Sequence, residues 1–115
     1  MDTIIFYNPK CSKSRQTLEL LKDRGIKTKI VEYIKNPPNF NELDRILKML
    51  DLHPKELMRQ KEPTYKKLKL GQDVLDRSTL IQIMVENPIL IERPIVISSN
   101  KAAIGRPPEN VLSVL

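Results

Sequence analysis

At 115 residues, with 40% hydrophobic and 30% charged residues, the chain has the size and balance of one globular domain and not of a disordered segment. A formal charge of +6 points to anionic partners, yet 4% aromatic residues and no Lys/Arg block longer than two argue against nucleic acid. One cysteine and one histidine exclude an internal disulfide and a four-ligand zinc site, and apolar stretches of about six residues, such as 80–85 (LIQIMV), exclude a membrane span.

The opening MDTIIFY shows no secretory pattern, so a cytoplasmic location is expected. Within it Thr3 to Tyr7 (TIIFY) is β-branched and aromatic, and Asn8-Pro9 closes it, which predicts a short buried strand ended by a turn. From Ser14 the leucines at 18 and 21 recur at helical spacing, with Leu20 less directly aligned, and Gly25 supplies the stop. Lys29 to Ile34 (KIVEYI) predicts a second strand, parallel to the first because a helix intervenes.

Asn36-Pro37-Pro38 breaks that pattern, and Asn39 or Asn41 caps a helix with Leu43, Ile46, Leu47 and Leu50 on one face. His53-Pro54 through Leu70 predicts two short helical turns joined by Glu62-Pro63, with His53 at a helix start. Ser78 opens a longer helix whose apolar side carries Leu80, Ile81, Met84 and Val85, and Asn87-Pro88 ends it. After Arg93-Pro94, IVIS reads as a strand, and KAAIG, Lys101 to Gly105, forms a hairpin with it around Ser99-Asn100. Pro107-Pro108 opens a last helix, NVLSVL.

The order is βαβ, a helical block, then ββα. It matches the α/β thioredoxin-like plan: a central four-stranded mixed sheet in a single domain over 1–115, with a helical insertion at about 36–88. In that plan Cys11 stands just before the first helix, where unpaired N–H groups and the helix dipole favour a thiolate. A free cysteine is often a buried filler. Here Lys10, Ser12, Lys13, Ser14 and Arg15 surround it, a setting foreign to a core and suited to a reactive thiol or an oxyanion.

Position 14 separates two kinds of redox chemistry. In a C-x-x-C motif the second cysteine resolves the mixed disulfide; Ser14 cannot, so the second sulfur must come from outside, with glutathione as the expected source. Arg93 precedes Pro94 at the start of the third strand and Arg106 lies between Gly105 and Pro107 at the end of the fourth, so both would approach the Cys loop; Arg59 comes from the helical block. Guanidinium groups bind oxyanions through paired donors, and three of them converging on a thiolate would hold one and stabilise shifting charge.

The stretches YNPKCSKSRQTLELL, ELMRQKEPTY, MVENPILIERPIVI and IGRPPENVL, spread over nearly the whole chain, resemble the glutaredoxin-coupled arsenate reductase (ArsC) family, including its ArsC-like branch. The resemblance implies a catalytic Cys11, oxyanion-binding Arg59, Arg93 and Arg106, and a cis bond before Pro94. Asn8, Pro9, Ser12, Ser14, Arg15 and Pro94 would shape the site. It further implies arsenate reduction through a Cys11–arsenic intermediate, with glutathione as co-substrate, glutaredoxin as partner, no bound cofactor, no metal and a monomer. The best-known members carry His where this chain has Tyr7, which shifts the expected activation of the sulfur onto the helix terminus, Lys10 or Lys13, and Arg15. Two alternatives stand beside this reading: an ArsC-like thiol oxidoreductase with another substrate, and an Spx-like regulator that binds RNA polymerase.

Overall fold

The computed structural model describes residues 2–71 and 75–115. Its chain forms two compact units, one from Met1–Asn36 with Arg93–Leu115 and one from Pro37–Glu92.

The first unit is a four-stranded mixed sheet in the order β2-β1-β3-β4. Strand β1 (Thr3–Tyr7) pairs parallel with β2 (Thr28–Glu32) and antiparallel with β3 (Ile95–Ser98), which pairs antiparallel with β4 (Lys101–Ile104). The mixed thioredoxin-like sheet expected from the element order is therefore present. Ser99 and Asn100 turn the β3–β4 hairpin with φ of 53° and 62°, the paired left-handed geometry that a two-residue hairpin with right-twisted strands requires.

Helix α1 (Ser12–Asp23) crosses between β1 and β2 and starts two residues earlier than its apolar spacing indicates, with Cys11 itself at the N-cap. Gly25 ends it at φ 70°, donating to the Lys22 carbonyl at 2.9 Å while Ile26 donates to Leu21 at 3.0 Å, so orphan carbonyls of the last turn are satisfied. Ile5, Leu18, Leu21, Val96, Val111 and Val114 form the core under α1, each fully buried aliphatic side chain contributing about 1.5–3 kcal/mol. The last two belong to Pro108–Val114, which is a 3-10 helix in place of the expected ordinary one. Strand β2 stops at Glu32, short of Ile34, because Lys35 and Asn36 both turn back to the Glu32 carbonyl at 3.0 Å.

The second unit is helical. Asn39 caps α2 (Phe40–Leu50) in a complete capping box: its side chain accepts from Glu42 N–H at 2.8 Å, and the Glu42 carboxylate accepts from Asn39 N–H at 3.2 Å. Two short helices follow, α3 (Pro54–Leu57) behind the cap His53 and α4 (Pro63–Lys67) behind Glu62, at the breaks the prolines impose. Helix α5 (Arg77–Glu86) begins one residue before Ser78 because Asp76 accepts from Thr79 N–H at 2.8 Å. Leu43, Ile46 and Leu47 of α2 and Leu80, Ile81 and Met84 of α5 are buried, whereas Leu50 and Val85 stay at the margin. Arg77 adds an ion pair to Asp44, which also meets Lys48 at 3.2 Å.

Among the described residues no helix is long and apolar enough to cross a membrane, and no group of three or more His, Cys, Asp or Glu could hold a metal ion.

Candidate active site

The loop from Asn8 to Cys11 is a tight turn that the sequence writes in full. Cys11 N–H donates to the Asn8 carbonyl at 2.9 Å, and Lys10 N–H donates to the Asn8 side chain at 3.0 Å, while Pro9 presets the turn's second residue. The Arg15 guanidinium then clamps the Pro9 carbonyl at 2.8 Å. These bonds hold Cys11 in an extended conformation at the N-cap, with its carbonyl accepting the first helical bond from Arg15 at 3.1 Å.

Cys11 is 6% exposed, and its thiol is free. Burial pushes its ionisation up; the backbone N–H and hydroxyl of Ser14, the charge of Arg93 and the backbone N–H of Lys13 outweigh burial, and the thiol ends below its ordinary value. No side-chain cap bond of ordinary geometry closes on the sulfur, so the helix N–H groups act on it as oriented dipoles. Ser14 is fully buried, and its oxygen accepts from Asn8 N–H at 3.3 Å. That contact uses an acceptor position and leaves the hydroxyl proton to point at the sulfur.

This corrects one expectation. The ammonium groups of Lys10 and Lys13 and the Arg15 guanidinium are not what tunes the thiol: Lys13 acts through its backbone N–H, Arg15 is engaged with Pro9, and the effective charge is that of Arg93. Lysine ammoniums at the surface are solvated and screened, whereas a half-buried guanidinium is less so.

The ends of β3 and β4 bring Arg93 and Arg106 to the sulfur. Arg106 donates through Nη2 to Cys11 Sγ at 3.5 Å and through Nε to the Arg93 carbonyl at 2.7 Å. Gly105 N–H donates to the Pro94 carbonyl at 2.9 Å, which ties the two strand ends together. The Arg93–Pro94 bond is cis, as expected, and so is Arg106–Pro107, which was not. Ser12 and Pro9 are exposed at the mouth, and Asn8 and Pro94 lie beneath.

Arg59 belongs to the helical unit. Its backbone N–H donates to the Leu90 carbonyl at 2.8 Å, Met58 bridges Ile91, and its guanidinium pairs with Glu62 at 3.0 Å. Its third partner is the Ile89 carbonyl at 3.4 Å.

Two site residues escaped the sequence reading. A Cβ added at Gly105 would lie 2.5 Å from Thr17 Oγ1 and 2.9 Å from Pro94 Cγ, so glycine is what lets α1 and the cis-proline close under the arginines. Thr17 is fully buried, and its hydroxyl finds no hydrogen-bond partner among the described residues. Only the Gly in IGRPP hinted at this approach. An open cleft of about 500 Å³ lies beside the site, with Lys13, Gln16 and Leu20 on the α1 side and Pro107 and Pro108 on the other.

The ArsC family model matches residues 6–114. The uncharacterized protein YfgD of Escherichia coli is 50% identical over 112 residues, covering 96% of this chain and 94% of its own. An arsenate reductase of Neisseria meningitidis is 46% identical over 112 residues, covering 96% of each chain. The solved arsenate reductase of Vibrio cholerae superposes with a TM-score of 0.96 at 46% identity, covering 100% of this chain and 98% of the other.

Proposed function

Because the chain belongs to the ArsC family, we propose that it is an arsenate reductase that uses Cys11 as its nucleophile and draws its electrons from glutathione and glutaredoxin. The observation that carries this reading is the Cys11 thiol: it is held below its ordinary ionisation at a helix N-terminus, with the Arg106 guanidinium 3.5 Å from the sulfur. A nucleophile with anion donors already beside it is what attack on an oxyanion needs.

The chemistry balances as follows. Cys11 thiolate attacks arsenic(V), forming a sulfur–arsenic bond, and one arsenate oxygen leaves as water after taking two protons. A glutathione thiol replaces a second oxygen in the same manner. A glutaredoxin thiolate then attacks the glutathione sulfur; a disulfide forms between them, and the pair from the broken sulfur–arsenic bond reduces arsenic(V) to arsenic(III). Water displaces arsenite and returns Cys11. Arg93 and Arg106 hold negative charge throughout, and Arg59 of the helical unit is an oxyanion-binding residue in this reading. The protein contributes proximity and charge stabilisation.

A steady-state assay with arsenate, glutathione and glutaredoxin tests the proposal. Turnover that disappears in Cys11→Ser is expected; absence of turnover in the wild type, or its persistence in that variant, would overturn it.

A further inference from the structure

Helix α4 begins behind a carboxylate that is not used as a cap. Asn39, His53 and Asp76 each accept a backbone N–H of the helix they precede, the ordinary use of a polar side chain at that place. Glu62 stands at the same place before α4 and makes no such bond. Its carboxylate turns back instead to the Arg59 guanidinium, with Oε2 at 3.0 Å from Nη1. Among the described residues, the one other α-helix cap whose side chain is left out of capping is Cys11, the proposed nucleophile.

The pair is built to hold a geometry. Its side chains are 24% and 15% exposed, against 76% and 41% for Lys35 and Glu32, so it is shielded in a way that an open surface pair is not. The backbone beneath it is fixed as well: Arg59 N–H donates to the Leu90 carbonyl at 2.8 Å, and Glu62 N–H donates to the Arg59 carbonyl at 3.1 Å.

Which nitrogen is held decides what remains available. The contacts of the guanidinium to Glu62 and to the Ile89 carbonyl, at 3.4 Å, both use Nη1; among the described residues Nε and Nη2 have no partner. Nη1 is the nitrogen cis to Cδ, and it stands opposite the edge formed by Nε–H and Nη2–H. Those two N–H bonds run nearly parallel and match two oxygens of one oxyanion. Two acceptors on Nη1 therefore restrain the plane of the group and leave its paired edge open.

We infer that Glu62 is a positioning residue, which holds the Arg59 guanidinium by Nη1 and so keeps the Nε–Nη2 edge set for an oxyanion. This rests on the oxyanion-binding role proposed for Arg59 and goes beyond it by giving a task to a carboxylate that touches no substrate. An unanchored arginine gives up the freedom of a long side chain each time an anion binds, whereas an anchored one has given it up on folding. The negative charge of Glu62 opposes the anion, but it is spent on the nitrogen that the anion does not use.

The test alkylates Cys11 of the full chain with iodoacetamide in the absence of glutathione. The arsenate concentration that halves the rate is measured for each variant against its own rate without arsenate. Glu62→Ala is expected to raise that concentration about 3–10-fold, the effect of having to order one long side chain on binding. Glu62→Gln keeps an acceptor oxygen for Nη1 and removes the charge, and a value within about 2-fold of wild type is expected. Arg59→Ala should also raise the concentration, and adding Glu62→Ala to it should bring no further change, because nothing is left for Glu62 to hold. A merely structural Glu62 would add its loss to that of Arg59→Ala, and such a sum would overturn the inference. So would an unchanged value in Glu62→Ala, an equal loss in Glu62→Gln, or tighter protection in both Glu62 variants, which would make the carboxylate a competitor of the anion. Any of these alongside protection in the wild type removes the role of Glu62 alone. Absence of protection in the wild type removes the oxyanion site itself, and this inference with it.

Discussion

Ser14→Ala isolates the contribution of one buried hydroxyl to the reactivity of Cys11. The wild-type Ser14 is fully buried and accepts from Asn8 N–H at 3.3 Å, and both its backbone N–H and its hydroxyl lower the thiol's ionisation. Alanine keeps the backbone N–H and removes only the hydroxyl. A hydrogen bond to a charged group is worth about 1.5–3 kcal/mol, and one pKa unit is about 1.36 kcal/mol, so the Cys11 ionisation should rise by about 1–2 units. The assay is the rate of iodoacetamide alkylation against pH, read as the midpoint of the rise. Below both midpoints each unit of upward shift lowers the thiolate fraction tenfold. The more basic thiolate recovers about threefold in intrinsic nucleophilicity, leaving the observed rate about 3-fold lower per unit. The sign is fixed: a donor to the thiolate is lost, so the midpoint moves up. A midpoint within 0.2 units of wild type, or a downward shift, would refute the role assigned to the hydroxyl; the margin is about a fifth of the smallest expected shift.

Gly105→Ala should lower stability by about 1–3 kcal/mol in urea titration, because the new Cβ meets Thr17 Oγ1 at 2.5 Å and Pro94 Cγ at 2.9 Å; adding Thr17→Ala should restore part of the loss. Asn39→Ala removes the acceptor in the α2 capping box and should cost about 1 kcal/mol by the same titration, with no change in the alkylation profile. Asp76→Asn should weaken the acid dependence of stability. The side-chain and backbone bonds to Thr79 depress the folded carboxyl, so its stabilising effect is present above the unfolded carboxylate range and is lost as pH falls through the folded value. Thermal melts of wild type and variant between neutral and acid pH would check this, and identical acid profiles would contradict it.

The parts of the molecule legible in the sequence are those set by local rules. The capping box at Asn39 could be separated from the competing Asn41 by the Glu three residues on, and the Ser99-Asn100 hairpin by its two turn-forming residues. The apolar spacing of α1 is visible only from Ser14 onward because its first two residues are polar, whereas the fold plan sets Cys11 just before the helix, and Cys11 is its N-cap. The approach of Arg93 and Arg106 to Cys11 followed from the fold plan, but its tightness did not. It depends on Gly105 closing against Thr17 and Pro94, a long-range contact that leaves no periodic trace. The identity of the charges acting on the sulfur was misjudged for a related reason. Nearness in sequence favoured Lys10, Lys13 and Arg15, whereas burial and direction in space favour Ser14 and Arg93.

A lone cysteine has to serve twice, first as nucleophile and then as leaving group, and the two tasks ask different things of its ionisation. Lowering it gains thiolate tenfold per unit at pH below the pKa but costs about threefold in intrinsic nucleophilicity, so the benefit to attack ends once the value reaches ambient pH. Departure has no such limit, since a lower value always makes the sulfur leave faster. A second cysteine at position 14 could attack the Cys11 sulfur and expel the bound group from within; with Ser14 the adduct waits on the reaction of an external thiol before Cys11 can be freed. The same residue that removes internal resolution supplies a hydroxyl that stabilises the departing thiolate. In this site the serine therefore assists the exchange that its own presence makes necessary.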